Sequence, residues 1–254
     1  MVDRKIKLVV AYDGTDFHGW QLQPRDISVA STLENSYKKI FGESVRVIGA
    51  SRTDAGVHAL GQVAIIKTAM TIPAERIQAA WNGALPNTIH IRSVVDANPI
   101  FHPNHDVLQK TYYYHLFYKR PMPMVARYGW VYNFIHQVDF EKFAQCLNFF
   151  IGEHDFSAFA KIEGDKNPVR KVDAITIKRY DSFGLLQIQV KGKSFLHYQI
   201  RRMIGYALDI ARRPSIPADY VQEILKSRNA EQELIQASAS GLCLRKICYD
   251  KRVL

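Results

Sequence analysis

The chain has 254 residues, 47% apolar and 23% charged, which places it among ordinary soluble globular proteins of one large domain or two small ones. No apolar run is long enough for a membrane-spanning helix, and the apolar core of "MVDRKIKLVVAYDG" is only five residues long before Asp13, too short for a signal peptide. Lys plus Arg number 34 against 24 Asp plus Glu, and the net charge of +10 raises the prior for a polyanionic partner without saying which. The three cysteines, Cys146, Cys243 and Cys248, are odd in number and widely spaced, which argues against a disulfide framework and for packing thiols in a cytoplasmic protein. The step from Cys243 to Cys248 is not a zinc-knuckle spacing.

Taken in order, residues 6–12, "IKLVVAY", read as a strand. Ser31-Thr32-Leu33-Glu34 reads as a capping box opening a helix to about Phe41. Strands at 45–50 and 62–68 follow. Pro73 starts a second helix to about Asn82, with Ile77, Ala80 and Trp81 on one face. A strand at 89–96 completes a β-α-β-β-α-β order, the split unit of ferredoxin-like folds. The second half repeats it loosely. A strand "KTYYYHLFY" (110–118) comes first, then a helix capped by Asp139 to about 151. Strands 172–179 and 185–192 flank the turn "DSFG". Helices at 197–212 and 217–226 and a last strand at 243–249 end the chain. The fold class is therefore α/β (α+β) in two related halves, 1–104 and 105–254, with the turn "PNHD" at the boundary.

The chemistry concentrates in "ASRTDAGVHALGQVA" (50–64), where Arg52, Asp54 and His58 fall in a glycine-broken connection. A carboxylate beside a guanidinium stays ionised at neutral pH and can serve as nucleophile or general base. Asp54 can equally cap a turn, and on spacing alone the turn reading leads. His58 reads as a turn or packing residue. No third ligand stands near it, and no carboxylate pattern completes a site with His102 and His105, so no metal is expected. In the aromatic strand, Tyr112, Tyr114, Leu116 and Tyr118 share one face, which suits a core first and base stacking second. In "HYQIRRMIGYALDIARR", Arg201 and Gly205 sit at the margin of the apolar face, and Arg202 points away from it as a solvated side chain. Lys191 to Arg213 holds six basic residues and one acidic, Asp209, a phosphate-binding strip.

"RTDAGVHALGQV", "YDGTDFHGWQLQP" (12–24), "KTYYYHL", "GEHDFSAF" (152–159), "SFLHYQIRRMIG" (194–205) and "GLCL" (241–244) together resemble, in order and over nearly the whole chain, the tRNA pseudouridine synthase A family. The resemblance implies two ferredoxin-like halves sharing an antiparallel sheet with helices on one side and an active-site cleft between the halves. It implies isomerisation of uridine to pseudouridine in the anticodon stem-loop of tRNA, at positions 38, 39 and 40. It also implies no cofactor, no metal and a homodimer. Residue by residue, Asp54 falls on the catalytic aspartate and Arg52 on the arginine that holds the flipped-out nucleotide. Tyr112 falls on the tyrosine stacked on the target base, Arg201 on the basic partner of the aspartate, and Leu242 on the apolar pocket wall. Ser51 departs from the usual Gly, "SVASTLE" departs from the usual Val-Gln pair before the first helix, and Arg202 departs from the Asn of bacterial members. A synthase acting on another RNA or tRNA position, and a non-catalytic RNA-binding module, are the competing readings. The second would have no need of Asp54.

Overall fold

The computed structural model of the protein describes residues 4–21, 26–162, 164, 167–250 and 252; residues 22–24 of the 12–24 motif lie outside them. Ten strands and five α-helices are formed among the described residues. The chain divides into two compact units, one of residues 1–110 with 243–254, the other of residues 111–242. The chain thus leaves the first unit inside a strand, between Lys110 and Thr111, and its final strand returns to that unit. The turn at 103–106, where the sequence suggested a boundary, belongs to the first unit.

In the first unit the strands β1 (Arg4–Tyr12), β2 (Ile48–Gly49), β3 (His58–Thr68), β4 (Ile89–Asp96) and β10 (Leu242–Tyr249) run in the order β4-β1-β3-β10, with β2 also on β3. β1 alternates strictly. Ile6, Leu8, Val10 and Tyr12 are buried while Lys5, Lys7 and Val9 are only partly covered, as a sheet with one core face requires. β3 is buried along almost its whole length, as a central strand should be. The β1–β3 and β1–β4 pairings are antiparallel, as expected, whereas β10 joins β3 in parallel through Cys243–His58 and Leu244–Ala59.

Helix α1 (Val29–Phe41) begins a turn earlier than the sequence suggested. Its N-cap is Ser28, whose hydroxyl accepts from Ser31 N at 3.1 Å, while Ser31 Oγ accepts from Ser28 N at 3.0 Å. Glu34 is left to accept from Val47 N at 2.9 Å, and that segment forms only the two-residue β2. Helix α2 (Ala74–Ala84) buries Ala74, Ile77 and Trp81 but exposes Ala80, which at 100° per residue falls outside their stripe. Trp81 meets Tyr37 edge-on at 4.7 Å and donates to Ser36 Oγ at 2.8 Å, fixing α2 against α1.

The second unit carries β5 (Val107–Phe117, from residue 111), β6 (Trp130–Val131), β7 (Gly152–Asp155), β8 (Val169–Tyr180) and β9 (Leu185–Gly192), with α3 (Phe140–Asn148), α4 (Gln199–Ala211) and α5 (Tyr220–Ser227). Its strand order is β5-β9-β8-β7, with β6 parallel to β5. Asp139 caps α3 as anticipated, accepting from Glu141 N and Lys142 N at 2.9 and 3.1 Å. β6 and β7, of two and four residues, are too short to leave a pattern in the sequence. Among the described residues no helix is long and apolar enough to cross a membrane.

Candidate active site

The segment from Ala50 to Val57 keeps a strand-like alternation after β2. Ser51 and Thr53 point in, Arg52 points out, and Asp54 is half-buried. Its backbone is held from several sides. Ala50 N donates to Val63 O at 2.8 Å, and Gln62 Nε2 donates to Ser51 O at 2.6 Å. Lys110 Nζ donates to Ala50 O at 2.8 Å and lies 3.3 Å from Ser51 Oγ. Tyr12 and Thr53 share a hydroxyl hydrogen bond of 2.8 Å, and Trp20 N donates to Thr53 O at 3.1 Å. Beyond Asp54 the chain turns, with Val57 N donating to Asp54 O at 3.1 Å and Gly56 N to Phe17 O at 3.2 Å. Asp54 therefore stands at a turn whose two arms are both tied down.

Residues 12–20 form the cradle, and two glycines allow it. A Cβ on Gly14 would sit 2.0 Å from Val57 O, inside van der Waals contact. Gly19 has φ +86°, and a Cβ there would meet Thr53 O at 2.5 Å. His58, at the start of β3, is buried. Its Nδ1 lies 3.1 Å from Gly14 N and 3.2 Å from Asp13 Oδ1. The two contacts ask for different states of Nδ1: without a proton it accepts from Gly14 N, and with one, in the neutral Nδ1–H tautomer or the imidazolium, it donates to Asp13. Either way His58 fastens the 12–15 turn to β3, the packing role expected of it. Burial holds the Lys110 ammonium down, from 10.5 to about 8.

Arg52 is exposed, and no hydrogen bond or ion pair joins it to Asp54 among the described residues. Alternation nonetheless puts Arg52 and Asp54, two residues apart, on the same side of the segment, opposite Ser51 and Thr53.

In the second unit Tyr112, Tyr114 and Leu116 form the buried face of β5, and Tyr118 lies just past the strand, half-exposed. Tyr112 is 6% exposed and meets the Phe195 ring edge-on, centroids 5.4 Å apart. Tyr114 donates to Ser238 O at 2.9 Å, fixing the turn that leads into buried Leu242. Tyr198 caps α4 with φ 65°, a left-handed conformation rare for a residue with a side chain, and the Arg201 guanidinium lies 5.4 Å from its ring centroid. Arg201 Nε donates to Ala237 O at 2.8 Å.

Arg202 is not the solvated side chain expected from helical phase. It is half-buried, its Nη1 donates to Ala160 O at 3.0 Å, and burial lowers its pKa. Arg212 and Arg213 lie 2.7 and 2.9 Å from the buried Asp209 carboxylate. Much of the basic strip is thus already engaged within the protein. His102 and His105 stack at 3.9 Å, and no group of three or more metal-ligating side chains forms among the described residues. Cys146 and Cys243 are buried, and burial raises their thiols to about 11 and about 12, as packing residues. Lys110, Gln62, Tyr12 and Trp20 went unassigned in the sequence. All four lay within quoted motifs, Tyr12 and Trp20 in 12–24, Gln62 in 52–63 and Lys110 at the start of the aromatic strand, but no residue pattern gave them a role.

The fold and this loop define an α/β protein that presents one carboxylate on a rigidly supported turn. A family model described as tRNA pseudouridine synthase matches residues 8–106 and 147–250. The tRNA pseudouridine synthase A of Thermoanaerobacter sp. (strain X514) is 37% identical over 97% of this chain and 100% of its own length. That of Acetivibrio thermocellus is 36% identical with the same coverage. A solved H/ACA RNP bound to a substrate RNA containing 2'-deoxyuridine aligns at a TM-score of 0.37 and 13% identity, over 80% of this chain and 43% of that one. The chain belongs to the tRNA pseudouridine synthase family. It is an isomerase that forms pseudouridine in tRNA.

Proposed function

We propose that the protein converts uridine to pseudouridine in the anticodon stem-loop of tRNA, at positions 38, 39 and 40, with Asp54 as the catalytic residue. The observation that carries this reading is the support of the Asp54 turn: a half-buried carboxylate on a segment whose Ala50, Ser51, Thr53 and Asp54 carbonyls each accept a hydrogen bond, so that its position is set before substrate arrives. Product and substrate are isomers. The ribose–nitrogen bond breaks, the uracil turns, a ribose–carbon bond forms, the carbon loses a proton and the nitrogen gains one. No electron acceptor or donor is required, and a single well-placed carboxylate can serve such a reaction by covalent or acid–base catalysis.

The target base must leave its stack, at a cost of a few kcal/mol. Exposed Arg52 suits a role in holding the flipped nucleotide, and Tyr112 and Leu242 supply an aromatic and an apolar surface for the uracil. Arg201 serves as the basic partner that favours the ionised carboxylate. The protein acts as a homodimer in the cytoplasm, without metal or cofactor. Incubating unmodified tRNA transcripts with the protein and mapping pseudouridine by carbodiimide-dependent primer-extension stops tests the assignment. Stops at 38, 39 and 40 are expected. Stops confined to other positions would overturn the choice of site, and none at all would overturn the activity.

A further inference from the structure

Arg201 is held by a strap formed by residues 235–237. The strap lies directly on α4: a Cβ on Gly205, one turn after Arg201, would meet Ile235 O at 2.1 Å. Ala237 N donates to Arg201 O at 3.0 Å, and Arg201 Nε donates back to Ala237 O at 2.8 Å. With the Gln236 amide turned so that its oxygen faces the guanidinium, Oε1 accepts from Nη1 at 3.1 Å and from Nη2 at 2.8 Å. One amide oxygen thus spans both terminal nitrogens and fixes the plane of the fork. Both acceptors that the strap offers Arg201, the Ala237 carbonyl and the Gln236 amide, are neutral. They orient the cation without cancelling its charge.

We infer that Gln236 is a positioning residue for the reaction: it aims Arg201 while leaving the guanidinium charge available to the reacting carboxylate or the substrate. The inference rests on the role proposed above for Arg201. It requires a neutral acceptor at this position, not merely an acceptor. A carboxylate of the same length would make stronger hydrogen bonds to Arg201 and hold it at least as firmly, but it would neutralise it.

The test measures single-turnover pseudouridine formation on saturating unmodified tRNA transcript, together with tRNA Kd and Tm, for Gln236→Glu, Gln236→Leu, Arg201→Met and the double variant Arg201→Met/Gln236→Glu. Gln236→Glu is expected to keep or raise Tm, leave Kd within about threefold, and lower the single-turnover rate by roughly tenfold. Gln236→Leu should lower the rate less, because the charge is kept and only its aim is loosened. In the Arg201→Met background the Glu substitution should change the rate by less than about twofold, since the group it acts through is gone. A purely structural Gln236 would give a wild-type rate with Glu, and that result overturns the inference, as does an undiminished effect of Glu in the Arg201→Met background. If Arg201→Met itself reacts at the wild-type rate, the role given to Arg201 falls and this inference with it. If Arg201→Met is slow while both Gln236 variants are wild-type, only the inference about Gln236 falls.

Discussion

The Asp54 turn and the Arg201 helix are both held in place, but by different means. Around Asp54 the contacts are mostly backbone, and the packing is so close that Gly14 and Gly19 have no space for a methyl group. Around Arg201 a strap more than thirty residues further along the chain holds the side chain itself, through an amide and a carbonyl. A carboxylate on a rigid turn is positioned by its backbone. A long, flexible arginine needs partners along its length, and those partners then decide how much of its charge remains.

The comparison can be broken first at the glycines. Gly14→Ala puts a methyl against the Val57 carbonyl, which must move. A loss of about 3 kcal/mol in chemical denaturation is expected, with turnover falling alongside it because the Asp54 turn moves too. Retention of both wild-type stability and activity would show that the cradle has slack.

Lys110 sharpens the comparison through pH. Its folded pKa, about 8, lies below its ordinary 10.5, so the unfolded chain binds more protons between those values. Stability should therefore rise as pH increases from about 8 towards 10.5, by an amount on the order of 3 kcal/mol at most, and be lowest, from this group, below pH 8. Urea denaturation of wild type and Lys110→Met at pH 7, 8, 9 and 10 checks this. The wild type should gain on the variant as pH rises, and parallel pH profiles would contradict it.

Two smaller effects complete the set. Tyr114→Phe removes the hydrogen bond to Ser238 O and should cost about 1 kcal/mol, measured as a fall in the urea midpoint. Ser28→Ala removes the α1 cap beside Val29 and Ala30, whose N–H groups donate to Gly19 O and Trp20 O of the cradle at 3.1 Å each; it should cost about 1 kcal/mol or less and, with those two backbone bonds kept, leave the single-turnover rate within about twofold of wild type. A larger rate loss in the Ser28 variant would mean that the α1 cap holds the cradle in place through those two bonds.

What the sequence disclosed follows the same division. The strands and helices with strong periodicity, β1, β4, β9 and α4, were legible because alternation and the helical repeat are local. The glycines at 14 and 19 stood within a motif, and close backbone approach is what glycine most often signals. Asp54 was singled out from its loop, although spacing alone favoured a turn cap. The partners that hold these groups were not legible: Lys110 on Ala50, Gln62 on Ser51 and Gln236 on Arg201 are pairings across distance in the chain, with no repeat to betray them. Ser28 was missed as the cap because Ser31 offered the same chemistry one turn later. Arg202 was misplaced because helical phase says where a side chain starts, not which carbonyl it reaches.

The central claim is that Asp54 performs the chemistry and not the binding. Its most direct test is the Asp54→Asn variant on unmodified tRNA transcript, with single-turnover pseudouridine formation and tRNA Kd measured on one preparation. Phosphate contacts supply most of the affinity for RNA, so Kd should stay within about threefold of wild type while no pseudouridine forms above background. Turnover within about tenfold of wild type would contradict the account, since an amide cannot replace an ionised carboxylate as nucleophile or base.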